Sequence, residues 1–392
     1  MKIAILNSGI LPIPAVLGGA VENLTDFYLE YNNRKKLHEI TVYSVWNPKV
    51  DNSPALSSDV NHYYFIDVTS IKARIERKLR RYFHSTNSYY NYFIEYYFEK
   101  AYADLKKRNY DLIILENSPG HAYKLSQRGY NNLILHLNND LLNSQSRYHE
   151  IIFNSFIKIL TCSNFIKDRV SSIQSSSKVH TLYNAIDVKV FSSRKKQQII
   201  RTNIGLSEED FVIIYYGRIN KDKGVSELID AMLMLHDMPN IKLMIIGSTF
   251  FANATNEDEF VQSIKEKAKK IEKRIVFTGF IPYNQVPNYL QLADIAVLPS
   301  MWDEPFGLTI VEALAAGLPL ITTQSGGIPE ICEGVAIIVE RENIVNNLTT
   351  SILYLYEHPE KRKEMAAAGI ERAKLFDKES YAENFFDALE SL

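Results

Sequence analysis

Short apolar runs rich in β-branched residues alternate along this chain with stretches of helical periodicity. In the first half such runs lie at residues 2–7, 39–45, 111–116, 133–137 and 159–163. In the second half they lie at residues 211–216, 242–247, 275–278, 295–298, 320–322 and 336–339. Alternation of this kind predicts parallel sheets wrapped by helices. The predicted fold class is α/β, with one doubly wound parallel sheet in each half.

A chain of 392 residues is too long for one ordinary hydrophobic core, so we expect two domains. The polar, charged stretch 187–203 suits a connection between them or the first helix of the second half. We place the boundary near Ala185, with domains at 1–185 and 186–375. Residues 376–392 form a separate helical segment at the end of the chain.

Composition excludes several classes of protein. Hydrophobic residues make up 46% and charged residues 23%, as in soluble globular proteins. A formal net charge of -2 gives no field for non-specific nucleic-acid binding, so we expect no nucleic-acid partner. Cys162 and Cys332 stand alone, which favours a reduced cytoplasmic setting and gives no metal-ligand spacing. No apolar stretch is long enough to cross a bilayer, and no signal peptide is expected.

The most specific segment is DEPFGLTIVEA at 303–313, which follows an apolar strand. Ligands of open α/β sheets bind outside the carboxyl ends of the strands, so chemistry is expected there. A helix beginning near Phe306 would point the free amides of Phe306, Gly307 and Leu308 at an anion such as phosphate. Gly307 would let that backbone approach the ligand closely.

Two glutamates in this segment, Glu304 and Glu312, stand about two helical turns apart, roughly 9 to 12 Å by helical rise. They could hold opposite ends of an extended ligand. The alternative is a helix-capping acid and a solvated surface charge. Apolar residues surround Glu312 on nearly every side, however, and a buried carboxylate without a partner would be costly. We therefore favour a functional role.

Cations follow another strand end, in the segment YGRINKDKG at 216–224. Arg218 offers a planar fork of donors and Lys223 a point charge, and either could neutralise a phosphate. A solvated, lysine-rich turn is the alternative. No D-x-D motif, the usual sign of a metal-dependent sugar transferase, occurs in the chain.

The E-x7-E element together with the G-R-x(n)-K-G pattern, here with four residues between Arg218 and Lys223, resembles the retaining GT-B glycosyltransferases of family GT4. The resemblance implies two facing Rossmann-like domains with an interdomain cleft, and a last helix that crosses back to the first domain. It implies that Glu304 binds the hydroxyls of the donor sugar and that Glu312 binds the ribose of the nucleotide. Arg218 and Lys223 would bind the donor phosphates. The backbone amides of residues 306–308 would bind the sugar and the diphosphate. The Gly-Gly-Ile-Pro-Glu turn at 326–330 resembles a structural turn of the same family.

Weaker signals lie elsewhere. Gly19 ends a loop before a helix, and the resemblance places it near the donor phosphate and the acceptor, although a simple loop is the commoner explanation. His136 ends a predicted strand; such a histidine is usually a core residue, whereas family members use one to bond the donor sugar. Asn138 and Asn139 depart from the family pattern there. Ile281 occupies the position where relatives contact the base through backbone groups.

The predicted function is metal-independent, retaining transfer of a sugar from a nucleotide-diphosphate donor, with UDP-sugar favoured and no cofactor. The acceptor would be a glycan or lipid-linked glycan of polysaccharide or cell-envelope synthesis. Because no carboxylate nucleophile can be identified, departure and attack on the same face is preferred over double displacement. The alternatives are an epimerase or phosphorylase on the same fold, or a non-catalytic binding subunit.

A basic stretch at 71–82 precedes aromatic residues that extend to 93. It carries Lys72, Arg74, Arg77, Lys78, Arg80 and Arg81. The stretch fits a helix lying on an anionic membrane surface, which would make the protein peripheral at the inner face of the cell membrane. A solvated helix face with ordinary core aromatics fits equally well.

Overall fold

The computed structural model describes residues 1–83, 92–192, 199–247 and 259–391, except the side chains of 80–83 and 92–94. These residues form two compact units. The first comprises residues 1–184 and 378–392, and the second comprises residues 185–377. The first unit therefore contains the last helix of the chain.

A seven-stranded parallel sheet in the order β3-β2-β1-β4-β5-β6-β7 forms the centre of the first unit. Its strands are β1 Lys2–Leu6, β2 Glu39–Val45, β3 Asn61–Ile66, β4 Leu112–Glu116, β5 Leu133–Leu137, β6 Phe156–Thr161 and β7 Val179–Thr181. The sequence analysis missed β3 and β7, which are the two edge strands. An edge strand has a neighbouring strand on one side only, and β3 is partly exposed. It therefore mixes polar and aromatic residues and forms no continuous apolar run.

Among the described residues of the first part of the chain, six helices flank this sheet. They are α1 Ala20–Lys35, α2 Ile71–Phe83, α3 Tyr92–Leu105, α4 Pro119–Gln127, α5 His149–Asn154 and α6 Asn164–Ser171. The strands between them are buried on both faces, as the central strands β1 and β4 show. Helix cover on both faces explains why these strands are near-continuous apolar runs.

The second unit contains a six-stranded parallel sheet in the order β10-β9-β8-β11-β12-β13. Its strands are β8 Phe211–Tyr216, β9 Ile241–Ile246, β10 Ile275–Gly279, β11 Ile295–Leu298, β12 Leu320–Thr323 and β13 Ile337–Val339. All six were predicted, within one residue at either end. With two Rossmann-like parallel sheets, the α/β fold class is confirmed.

The described part of the second unit contains eight helices. They are α7 Val188–Ser192, α8 Val225–Met234, α9 Glu259–Ala268, α10 Val286–Leu290, α11 Leu308–Ala315, α12 Ile328–Cys332, α13 Ile344–Glu357 and α14 Pro359–Ala373. Helix α7 lies in the polar stretch 187–203, so that stretch begins with a helix of the second unit. The charged run at 194–198 lies outside the described residues.

The last helix, α15 (Lys378–Glu390), packs on α1 in the first unit. The rings of Tyr28 and Phe385 stack with centroids 4.0 Å apart. Beneath the end of α15, the buried Lys158 Nζ donates to the carbonyl of Ala388 at 2.6 Å and to Ser391 Oγ at 2.9 Å. A cation at carbonyls of a helix C-terminus satisfies unpaired acceptors and complements the helix dipole. This contact anchors the end of α15.

Across the described ranges, no helix combines the length and apolar character needed to cross a membrane.

We predict that Lys158→Met, which keeps the aliphatic stem and removes the ammonium, frees the end of α15. Loss of charge-assisted hydrogen bonds should lower the free energy of unfolding by about 1–2 kcal/mol. Urea denaturation and limited proteolysis of the C-terminal segment measure the effect. Lys107→Met, at an exposed position, is the control. Equal stability and equal proteolysis of the two variants would show that Lys158 does not anchor α15.

Candidate functional site

The chemistry-bearing segments of the second unit follow the carboxyl ends of its central strands. Gly217 and Arg218 follow β8, residues 299–307 follow β11, and residues 324–327 follow β12. Because the strands are parallel and adjacent, these loops share one edge of the sheet. That edge is the candidate site.

Helix α11 begins at Leu308, two residues later than predicted. Gly307 precedes it with φ 116°, a conformation that disfavours any residue with a Cβ. The free first-turn amides therefore begin at Leu308 rather than at Phe306. Phe306 itself is buried, and its ring lies 5.7 Å from that of Phe376. The helix thus begins close to Phe306, as predicted, but the ring of Phe306 itself packs in the core.

Glu304 and Lys223, predicted from separate segments, are in direct contact through Oε1 and Nζ. Ser300 Oγ also donates to Glu304 Oε1, at 2.8 Å. Glu304 is buried, so these two donors offset the loss of water around its carboxylate. The pair brings the cationic loop and the E-x7-E loop together in one place.

Two loops hold this ion pair in position. The amide of Met301 donates to the carbonyl of Asp222 at 2.7 Å, which ties the loop after β11 to the segment that carries Lys223. Gly224, with φ 68°, lies against the Pro299 carbonyl so closely that a Cβ would collide with it. A larger residue there would push the two loops apart.

The Gly-Gly-Ile-Pro-Glu turn supports Glu304 from the other side. The amide of Gly327 donates to the Glu304 carbonyl at 2.8 Å, and a Cβ on Gly326 would collide with that carbonyl. Ser325 Oγ donates to the Ser300 carbonyl at 2.8 Å. The turn predicted to be structural thus fixes the backbone of the candidate sugar-binding glutamate. Sequence reasoning missed Ser300, although it comes two residues after a strand end.

Glu312 lies in α11 and is 4% exposed. Burial raises the pKa of its carboxyl to about 7, against the opposing effect of a hydrogen bond from Tyr283. Tyr283 follows β10 and Ile281, is about half exposed, and packs against Phe191 with ring centroids 5.7 Å apart. The hydrogen bond therefore brings the loop of Ile281 to the carboxylate of Glu312. Tyr283 was not predicted from the sequence.

Arg218 is exposed at the same sheet edge, and its carbonyl accepts a hydrogen bond from Tyr215 Oη at 2.8 Å. The backbone is thereby fixed while the guanidinium faces solvent. Tyr216 Oη donates to the Thr309 carbonyl at 2.5 Å, joining the end of β8 to the first turn of α11. Arg218 thus lies two residues from a direct link to the first turn of α11.

In the first unit, Gly19 precedes α1 with φ 114°. A Cβ on Gly19 would collide with the carboxylate of Glu22, which is buried. Burial raises the pKa of Glu22 to about 7. An anion at this helix N-terminus would have to share the turn with that carboxyl. The predicted role of Gly19 near a phosphate stays a prediction.

His136 is fully buried in the first unit, at the end of β5. Its Nδ1 lies 3.2 Å from Glu116 Oε1, which also accepts a hydrogen bond from Tyr28 Oη at 2.8 Å. The rings of Tyr381 and Phe385 of α15 lie 6.2 and 5.9 Å from the imidazole. The structure thus places His136 in a polar cluster beneath α15. The predicted contact with a donor sugar stays a prediction.

Within the residues that the structure describes, no group of three or more His, Cys, Asp or Glu side chains is arranged to hold a metal ion.

Comparison with known proteins finds relatives among glycosyltransferases. Residues 196–372 match the model of the family "Glycosyl transferases group 1". Spore coat protein SA of Bacillus subtilis is 28% identical over 85% of this chain and 83% of its own length. The lipopolysaccharide 1,2-N-acetylglucosaminetransferase of Salmonella typhimurium is 25% identical over 62% of this chain and 63% of its own length.

Among solved structures, HepE of Anabaena, in complex with UDP and glucose, superposes with a TM-score of 0.74. The two chains are 20% identical, and the match covers 100% of each. At this identity the likeness shows a shared fold, that of two Rossmann-like domains. Together with the family match over residues 196–372, these findings support a glycosyltransferase with the GT-B fold.

Proposed function

We propose that this chain is a GT4-type, retaining, metal-independent glycosyltransferase that moves a sugar from a nucleotide-diphosphate donor to a glycan or lipid-linked glycan. The observation that carries the proposal is the Lys223–Glu304 contact at the carboxyl edge of the second sheet. It unites a phosphate-binding cation and a sugar-binding acid that the sequence places on different loops. Glu312 lies on the helix that begins beside them.

The nucleoside end of the donor is assigned to Glu312 and the loop of Ile281. A ribose supplies hydroxyl donors, which a buried carboxylate needs to offset its lost hydration. In the structure the Tyr283 hydroxyl supplies one such donor. Ribose hydroxyls would add to or replace it. Backbone groups at Ile281 lie in the same loop and are assigned to the base.

The diphosphate is assigned to Arg218, Lys223 and the first-turn amides of α11 at Leu308 and Thr309. Breaking the bond between the sugar and the diphosphate builds negative charge on the leaving oxygens. Preorganised cations and amides stabilise that charge most where water is excluded. Two protein cations supply the positive charge that a divalent metal supplies in other enzymes, which supports a reaction without a metal or other cofactor.

The sugar is assigned to Glu304, whose position is fixed by Ser300 and the turn at Gly326. Because its carboxylate is engaged by Lys223 and Ser300, Glu304 is suited to bond hydroxyls rather than to attack carbon. This favours departure and attack on the same face. The bond from the anomeric carbon to the diphosphate breaks, the bond to the acceptor oxygen forms, and the acceptor proton passes to a diphosphate oxygen.

The donor base and acceptor are inferred from relatives. HepE was solved with UDP and glucose, which favours a UDP-sugar. The Salmonella relative acts in lipopolysaccharide synthesis by its name, which favours a polysaccharide or cell-envelope acceptor. We infer that the protein works on the cytoplasmic side, where nucleotide sugars are made available, and peripherally at the membrane if the acceptor is lipid-linked.

One prediction of the proposed function concerns the phosphate site. Arg218→Ala should weaken UDP binding at least tenfold and slow sugar transfer by about 10²–10³, because a donor to the developing charge is lost. Isothermal titration with UDP measures the first effect, and release of UDP from a panel of UDP-sugars with envelope glycolipid extract measures the second. Lys270→Ala, at an exposed position in the same unit, is the control.

Four outcomes would contradict the proposal or part of it. Full activity of Arg218→Ala would remove this arginine from the site. Rearrangement of the sugar while it stays on the nucleotide would indicate an epimerase, and donor binding with no UDP release under any acceptor would indicate a binding subunit. An inverted anomer in the product would exclude the retaining mechanism.

A second prediction follows from the raised pKa of Glu312. With a pKa of about 7 when folded, against 4.5 when exposed, the native state binds more protons and loses stability as pH rises through this window. Glu312→Gln should therefore be more stable than the parent at pH 8 by roughly 2–3 kcal/mol, and little different at pH 4.5. It should also bind UDP less tightly.

Thermal unfolding at the two pH values, with and without UDP, measures both effects. Comparing variant with parent isolates Glu312 from Glu22 and Asp26, whose pKa values burial also raises. Glu333→Gln, at an exposed position, is the control. A stability difference between variant and parent that does not change with pH, together with unchanged UDP affinity, would contradict this prediction. It would show that burial does not raise the pKa of Glu312 and that Glu312 does not bind the donor.

A further inference from the structure

Helix α2 presents an apolar stripe to solvent over its described side chains, residues 71–79. Ile71 is 78% exposed, and Ile75 and Leu79 are each 56% exposed. A spacing of four residues puts these three side chains on one face of the helix. Single exposed apolar residues are common, but an aligned set is a patch of the kind that marks an interaction surface.

The opposite face of α2 is already used for packing. Ala73 is fully buried, and Glu76 pairs with Lys100 of α3 at 3.0 Å. With about 100° between successive residues, Ala73 points roughly away from the stripe. The helix therefore sits on α3 by one face, and the face with Ile75 at its centre is turned outward.

Basic side chains flank the stripe on both sides. Lys72 lies beside Leu79 on one flank, whereas Lys78 and Arg74 lie beside Ile71 on the other, and all three are exposed. The one acid among residues 71–79, Glu76, faces the packed side and is engaged by Lys100. The outward face is thus apolar along its centre and positive at both margins, in a protein whose formal net charge is -2.

We propose that this face of α2 docks on an anionic phospholipid surface. The stripe would enter the interfacial region, and the flanking cations would contact headgroup phosphates, which is the arrangement of interfacial amphipathic helices. A second copy of this chain would bring cationic margins against each other, which disfavours pairing of two such faces. The proposal concerns only the first unit and stands independently of the proposed sugar transfer. Residues 84–91, part of the stretch noted in the sequence, lie outside the described residues.

The test is co-sedimentation of the full chain with vesicles of phosphatidylcholine and phosphatidylglycerol at a 3:1 ratio or of phosphatidylcholine alone. We expect binding to the anionic vesicles that weakens with added salt and with removal of phosphatidylglycerol. Lys72→Gln, Arg74→Gln and Lys78→Gln combined should weaken binding about a hundredfold, at about fivefold per charge. Ile71→Ser, Ile75→Ser and Leu79→Ser combined should weaken it at least tenfold.

Matched triple variants on exposed positions elsewhere control for general loss of charge or apolar surface. Lys107→Gln, Lys270→Gln and Lys363→Gln remove three exposed lysines, and Ile151→Ser, Ile157→Ser and Leu375→Ser remove three exposed apolar side chains. Both controls should bind like the parent. Unchanged thermal unfolding of the α2 variants shows that they are folded, and unchanged UDP affinity shows that the surface acts apart from the donor site.

Equal binding to neutral and anionic vesicles would overturn the proposal, as would α2 variants that bind like their controls. If the parent instead self-associates without lipid and the Ile71, Ile75 and Leu79 changes abolish that association, the stripe is an interface between copies and the lipid proposal is wrong. Sedimentation velocity without vesicles distinguishes that case.

Discussion

A buried carboxylate must have donors nearby, and the organisation of the candidate site follows from how Glu304 meets that requirement. Lys223 and Ser300 supply the donors, and each is held by a different loop at the carboxyl edge of the second sheet. Gly224 and Gly326 then permit the close backbone contacts that bring those loops to Glu304. The ion pair therefore fixes the geometry of the edge before any ligand binds, and preorganisation of this kind lowers the cost of stabilising developing charge.

Glu312 contrasts with Glu304 on the same segment. It is buried with a tyrosine hydroxyl as partner rather than a cation, so the pKa of its carboxyl rises to about 7. A ligand that brings several hydroxyls satisfies such a group better than the protein does alone. Sites that cost stability without a ligand are expected where function requires them. Lys223 neutralises Glu304, whereas the partner of Glu312 is the Tyr283 hydroxyl. This difference fits a nucleotide-sugar donor whose sugar is bound by Glu304 and whose ribose is bound by Glu312.

The sequence predicted the second unit more fully than the first. Its central strands are buried and even its edge strands β10 and β13 begin with apolar residues, whereas the edge strands β3 and β7 of the first unit carry polar residues or are short. The motif residues Lys223 and Glu304 were found because their types suit the chemistry, but their contact depends on loops far apart in sequence. Helix α11 begins two residues after Phe306, whose ring packs in the core. His136 lies beneath α15, a contact that only the tertiary fold creates.

Hydrogen exchange with and without UDP tests most directly whether the carboxyl edge of the second sheet is the donor site. The account predicts slower exchange on UDP addition at the first turn of α11 and at residues 280–283, because their backbone would be covered by ligand or ordered with it. Protection confined to the first unit, or no protection at either segment at saturating UDP, would contradict it.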